Sequence, residues 1–219
     1  MTGWGEFAGA MAVFFASHRL AAWPRVKAPL VARLGAAGFT WAYSAMSAGL
    51  LAWIIVAAGR APYVELWPRL PWMNLVTLAL MGLAAAIFAL ALGRPNPLSF
   101  GGLNNTRFDP AHPGLIGWMR HPLLVVLGLW SAAHLLPNGD LAHVLMFGLF
   151  LAFSVLGAKI IDRRRRRLLG PEEWARLAAT RRVIEPSPGG VARLVAAGAL
   201  YLGLIWLHAP VIGVDPLAF

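Results

Sequence analysis

Apolar residues run along this chain in blocks of roughly twenty, separated by short polar connections. Six blocks predict helices able to cross a bilayer, whose hydrocarbon core needs about 20 helical residues. They run roughly from Thr2 to Ala22, Gly35 to Ala58, Trp72 to Gly93, Gly114 to Leu136, Leu141 to Ile161 and Val191 to Val211. No polar block between them is large enough for a separate soluble domain. Residues 1–219 therefore read as one integral domain, an all-α polytopic membrane helix bundle of about six transmembrane helices. Composition agrees, with 59% hydrophobic and only 13% charged residues and ten Trp. Trp4, Trp23, Trp67 and Trp72 fall near block ends, where an amphipathic ring anchors at the interface. Gly38, Ala42, Ala45, Gly49 and Ala52 give the second block a small-residue stripe suited to close helix packing. The first block has neither a basic leader nor a small-residue cleavage site and reads as a retained helix.

Charge sets the expected orientation. Seventeen of the 19 Lys and Arg lie in the first, third and fifth connections, and only Arg60 and Arg69 lie elsewhere. The positive-inside rule then puts those three connections in the cytoplasm and both termini outside. The formal charge of +10 and the run Arg163 to Arg167 invite a nucleic-acid reading. A polybasic stretch directly after a span instead fixes orientation and attracts anionic lipid, at about 1 kcal/mol per residue near the surface. Membrane lipids are the expected partners, and nucleic acid is not.

Cysteine is absent, which excludes disulfides, thiolate metal sites and Cys nucleophiles. Of the six His, depth singles out three. The first block has an uninterrupted apolar stretch of only 11 residues, Phe7 to Ser17, about 16 Å of helix. His18 therefore sits in the membrane or just beneath its surface. The fourth block is short in the same way and draws in Arg120 and His121, while His134 lies toward its other end. An ionisable ring in hydrocarbon needs a partner. His121 and His134 are separated by a rise of about 20 Å and a rotation of about 220°, so one cofactor cannot use both across one plane. No H-E-x-x-H spacing supports zinc. Haem b suits neutral imidazoles on facing helices, with two of His18, His121 and His134 on the iron and Arg120 among the arginines able to receive propionates. Depth pairs His18 with His121. His112, His143 and His208 lie in loops or near block ends and read as ordinary surface groups.

The segments "FFASHRL", "GLIGWMRHPLL" and "LWSAAHLLPNGDLAHVLMFGLF" are similar to the NnrU family of bacterial membrane proteins across nearly the whole chain. That resemblance implies a role in denitrification, in the expression or activity of the nitrite and nitric oxide reductases. It makes nitric oxide or a hydrophobic small molecule the expected ligand. The same segments resemble plant zeta-carotene isomerase, a membrane haem b enzyme, which implies His18 and His134 as the iron ligands and a haem-dependent redox or isomerase-like activity. The isomerase carries a Cys three residues before its second histidine, where this chain has Ser131.

"RHP" followed by an apolar span and "IDRRRRRLLGPEEWARLAATRRVIEP" is similar to the isoprenylcysteine and phospholipid methyltransferases. That resemblance implies S-adenosylmethionine as the alternative cofactor, with Arg120, His121 and Asp162 as contacts and "NPLSFGGLNNTRFDP" as a flexible lid. Leu124 and the pair Asp162 and Arg163 depart from that pattern, which has an aromatic residue and a Glu-Glu pair there. A cofactor-free assembly factor is the third expectation.

Overall fold

A computed structural model describes residues 3–21, 23–183 and 185–218. The expected block ends at Thr2 and Ala22 lie outside the described residues. Seven α-helices are described: α1 (Gly3–Ala21), α2 (Pro24–Arg60), α3 (Pro71–Ala91), α4 (Pro122–Leu135), α5 (Leu141–Leu169), α6 (Pro171–Ala178) and α7 (Pro188–Ile212). The all-α class is as expected. Prolines start the helices: α2, α3, α4, α6 and α7 each have Pro in the first turn, where a missing N–H removes no internal hydrogen bond. Four helices, α2, α3, α5 and α7, are long and apolar enough to cross a membrane. The chain is thus a multi-pass membrane protein. Six crossings were expected, and α4, with 14 residues, spans only about 21 Å.

The structure corrects three boundaries. The fourth block does not begin as helix at Gly114. Residues Gly114–Gly117 form a 3-10 turn, and Pro122 keeps His121 out of the α-region, so α4 starts only at Pro122. The second block extends back to Pro24, with a break at Gly35, where φ 71° and ψ 167° suit glycine alone. The fifth runs on to Leu169, because arginines continue a helix readily.

The chain divides into two compact units, Met1–Trp67 with Gly139–Met146, and Pro68–Asn138 with Phe147–Phe219. In the first, α1 packs on α2. Phe7, Ala10 and Met11 are buried on one, Ile54, Ala57 and Ala58 on the other, both at i, i+3, i+4 spacing along one helix face. The expected small-residue stripe is not the packed face, since Ala42, Ala45, Gly49 and Ala52 remain exposed. In the second unit α3 packs against α4 and α7. The Thr77 hydroxyl lies 2.7 Å from Ala133 O, the Tyr201 hydroxyl donates to Leu78 O at 2.9 Å, and Arg193 caps the end of α3 through Ala89 O and Leu92 O. Large apolar side chains such as Trp41, Trp206 and Val211 face outward, as lipid contact requires. The short helix α6 buries Trp174 and Leu177 against Leu98, and this small core organises the polar end of the unit.

Candidate functional site

Arg120, His121 and Asp162, far apart in sequence, meet in the second unit. Arg120 Nη1 donates to Asp162 Oδ2 at 2.8 Å, and His121 Nε2 lies 2.9 Å from Asp162 Oδ1. A carboxylate only accepts, so Nε2 carries the hydrogen, and Nδ1 of the neutral ring accepts from the Ser99 hydroxyl at 2.9 Å. Both nitrogens of this buried imidazole are engaged. Two guanidinium groups lie over the Trp174 ring, Arg120 at 5.2 Å and Arg166 at 5.5 Å from its centroid.

The segment from Asn96 to Pro110, expected as a lid, is tied down at its start. Asn96, Leu98 and Ser99 are buried. Asn96 Oδ1 accepts from Leu98 N–H at 3.2 Å, its Nδ2 donates to Arg120 O at 3.0 Å, and Arg165 donates to Ser99 O at 2.8 Å. The segment is therefore a wall of the cluster. Sequence reasoning missed Ser99, Asn96, Arg165 and Trp174. Only Asn96 carried a signal, since Asn between two prolines marks a turn whose side chain bonds its own backbone; a serine hydroxyl in an apolar context carries none.

His18 and His134 are set differently from His121, and like each other. Each is four residues after an aromatic residue on its own helix, and each points Nδ1 at that residue's carbonyl. His18 Nδ1 lies 2.7 Å from Phe14 O, and His134 Nδ1 lies 2.8 Å from Trp130 O. A carbonyl only accepts, so Nδ1 holds the hydrogen and Nε2 keeps its lone pair. His18 stacks on Phe14 at 4.0 Å, with Tyr43 edge-on at 5.3 Å. Ser47 Oγ lies 3.2 Å from its Nε2 but also 2.8 Å from Tyr43 O, and one hydroxyl hydrogen cannot serve both. His134 is flanked by Trp130 at 5.5 Å and Phe147 at 5.4 Å. Among the described residues no hydrogen-bond partner meets its Nε2. His208, expected as an ordinary surface group, stacks on His134 at 6.4 Å and places its own Nδ1 2.7 Å from Val214 O. His18 belongs to the first unit and His134 to the second.

The other two histidines pair with nearby acids. His143 Nδ1 lies 2.7 Å from Asp140. His112 lies 2.9 Å from Asp109 and 3.7 Å from Glu185, and the hydrogen bond to Asp109 with the charge of Glu185 raises its pKa. Among the described residues no group of three or more His, Asp or Glu is placed to hold a bare metal ion.

Helices that cross a membrane, an inward ion-pair cluster and carbonyl-pinned imidazoles define a multi-pass α-helical membrane protein with polar chemistry at two kinds of place. The family model described as NnrU protein matches residues 6–216, and the chain belongs to that family. Comparison with curated proteins and with solved structures found no match.

Proposed function

We propose that this chain binds haem b, with His18 and His134 as iron-ligating imidazoles, and that it serves denitrification by supporting nitrite or nitric oxide reduction. The matched setting of those two rings carries the reading. A metal-ligating histidine characteristically donates its second ring N–H to a carbonyl or carboxylate, which fixes the tautomer and aims the free nitrogen at the metal. His18 and His134 both do this, whereas His121 would have to give up Ser99 or Asp162 to bind iron. The hydrogen bonds of each ring taken by itself thus favour His18 and His134, the ligands that the isomerase resemblance implies, over His121. The donor set fits the group: imidazoles in apolar, aromatic surroundings would be ordinary ligands for haem iron. Haem would supply a redox-active iron.

Absorption spectra of protein purified from haem-replete cells test this. A Soret band with low-spin character is expected in the native chain and is lost in both His18→Ala and His134→Ala, while His121→Ala retains it. His208→Ala, which removes the ring stacked on His134, serves as a further arm. An unaltered low-spin spectrum in His18→Ala or His134→Ala at normal expression rules out that ligand. The physiological half is separate: a deletion strain is expected to grow poorly on nitrite without oxygen, and normal growth with unchanged reductase activity refutes it.

A second reading has its own support. The cluster of Arg120, His121 and Asp162 brings together the residues that the methyltransferase resemblance singles out. Asp162, about a third exposed (31%), offers an anion to a cationic group, and Arg120 a cation to a carboxylate. Saturable binding of S-adenosylmethionine by the purified protein, lost in Asp162→Ala, is the expected result; absence of binding removes this reading and leaves the first intact.

A further inference from the structure

Arg120 borders a cavity of about 230 Å³ completed by Ile116, Gly117, Trp118, Ala178, Thr180 and Arg182. Two segments distant in sequence form it, one just before α4 and one just after α6. Gly117 lets them meet, because a Cβ there would strike the carbonyl oxygen of Arg181. The second segment is held in turn by Arg181 N–H donating to Pro110 O at 3.2 Å. Both charged side chains among the described lining residues are guanidinium groups, and neither Asp nor Glu is among them. Asp162 engages Nη1 of Arg120, whose guanidinium lies over the Trp174 ring, and among the described residues its other N–H donors have no hydrogen-bond partner. Thr180 adds a hydroxyl.

Two guanidinium groups and a hydroxyl, with no carboxylate in the lining and one guanidinium shared with Asp162 outside it, match the oxygens of a tetrahedral oxyanion. The volume lies below the roughly 300 Å³ at which pockets begin to enclose drug-sized ligands, so the cavity suits one charged group with the rest of its molecule outside. Trp118, 53% exposed, is the kind of ring that sits at a lipid headgroup boundary. We propose that this cavity binds a phosphate-type anion through Arg120, Arg182 and Thr180, supplied by a lipid headgroup or by free phosphate. The site does not depend on the haem reading.

The test uses the full chain in neutral detergent, titrated with phosphatidylglycerol, phosphatidylcholine and inorganic phosphate. Arg182 is exposed, so Arg182→Gln leaves packing intact; Arg167→Gln changes net charge equally at an exposed position elsewhere. Saturable binding that Arg182→Gln weakens about tenfold, as expected for one charge-assisted contact, and Arg167→Gln leaves within twofold, is the expected result. Preference for phosphatidylglycerol over both other probes identifies the lipid source, and comparable binding of inorganic phosphate identifies the soluble one. Equal loss in the two variants would show diffuse attraction to the basic surface and overturn the proposal. So would a cavity that S-adenosylmethionine occupies while both phosphate probes leave it empty.

Discussion

At the scale of single residues, Asp162 holds the most. One carboxylate accepts from Arg120 and from His121, and the buried ring of His121 then reaches Ser99. Asp162→Ala leaves His121 buried without its acceptor, at a cost of about 1–3 kcal/mol. The Arg120 end contributes less, because its side chain is 37% exposed and water replaces the carboxylate there. Thermal unfolding in detergent should show a clear loss for Asp162→Ala and a smaller one for Asp162→Asn, whose amide oxygen still accepts a hydrogen bond. Equal stability of all three forms would mean the pairs are not formed. Arg120, His121 and Asp162 were legible in the sequence as candidates through "RHP" and the acidic residue before the arginine run. Ser99 was not, because a hydroxyl's importance depends wholly on what lies beside it.

At the scale of elements, local chemistry governed the helix starts and hid one break. Proline in the first turn marks five helices, and Pro122 accounts for the short α4 by denying His121 an α-helical backbone. Gly35 instead sits inside a helix-compatible run, yet adopts a φ/ψ that glycine alone reaches without strain. Gly35→Ala is therefore expected to lower stability by about 1–3 kcal/mol, or to straighten the helix and shift residues 24–34. Unfolding midpoints together with limited proteolysis at Arg25, Lys27 and Arg33 would detect either result. A neutral substitution with unchanged cleavage would show that the break is not needed. The run Arg163 to Arg167 shows the reverse: polarity ends the apolar span near Ile161, whereas backbone preference carries the helix past it to Leu169.

At the scale of the whole molecule, the distribution of basic residues makes its own prediction. The native absence of cysteine permits single-cysteine labelling without background. A membrane-impermeant maleimide applied to cells with a permeabilised outer membrane should label Tyr63→Cys, and should label Arg167→Cys only after lysis, because seventeen of 19 Lys and Arg lie in the first, third and fifth connections, the last of which holds Arg167. The reverse pattern would invert the orientation. Sequence by itself determined the helical class, the membrane setting and most helix starts, since hydropathy and proline geometry act on neighbouring residues. It also singled out a few histidines, with Arg120 and Asp162, as candidates. Tertiary structure alone decided that both ring nitrogens of His121 are engaged. The bond from His134 to the carbonyl of Trp130 is local to its own helix, but Asp162 and Ser99 reach His121, and Phe147 reaches His134, only through packing of segments distant in sequence.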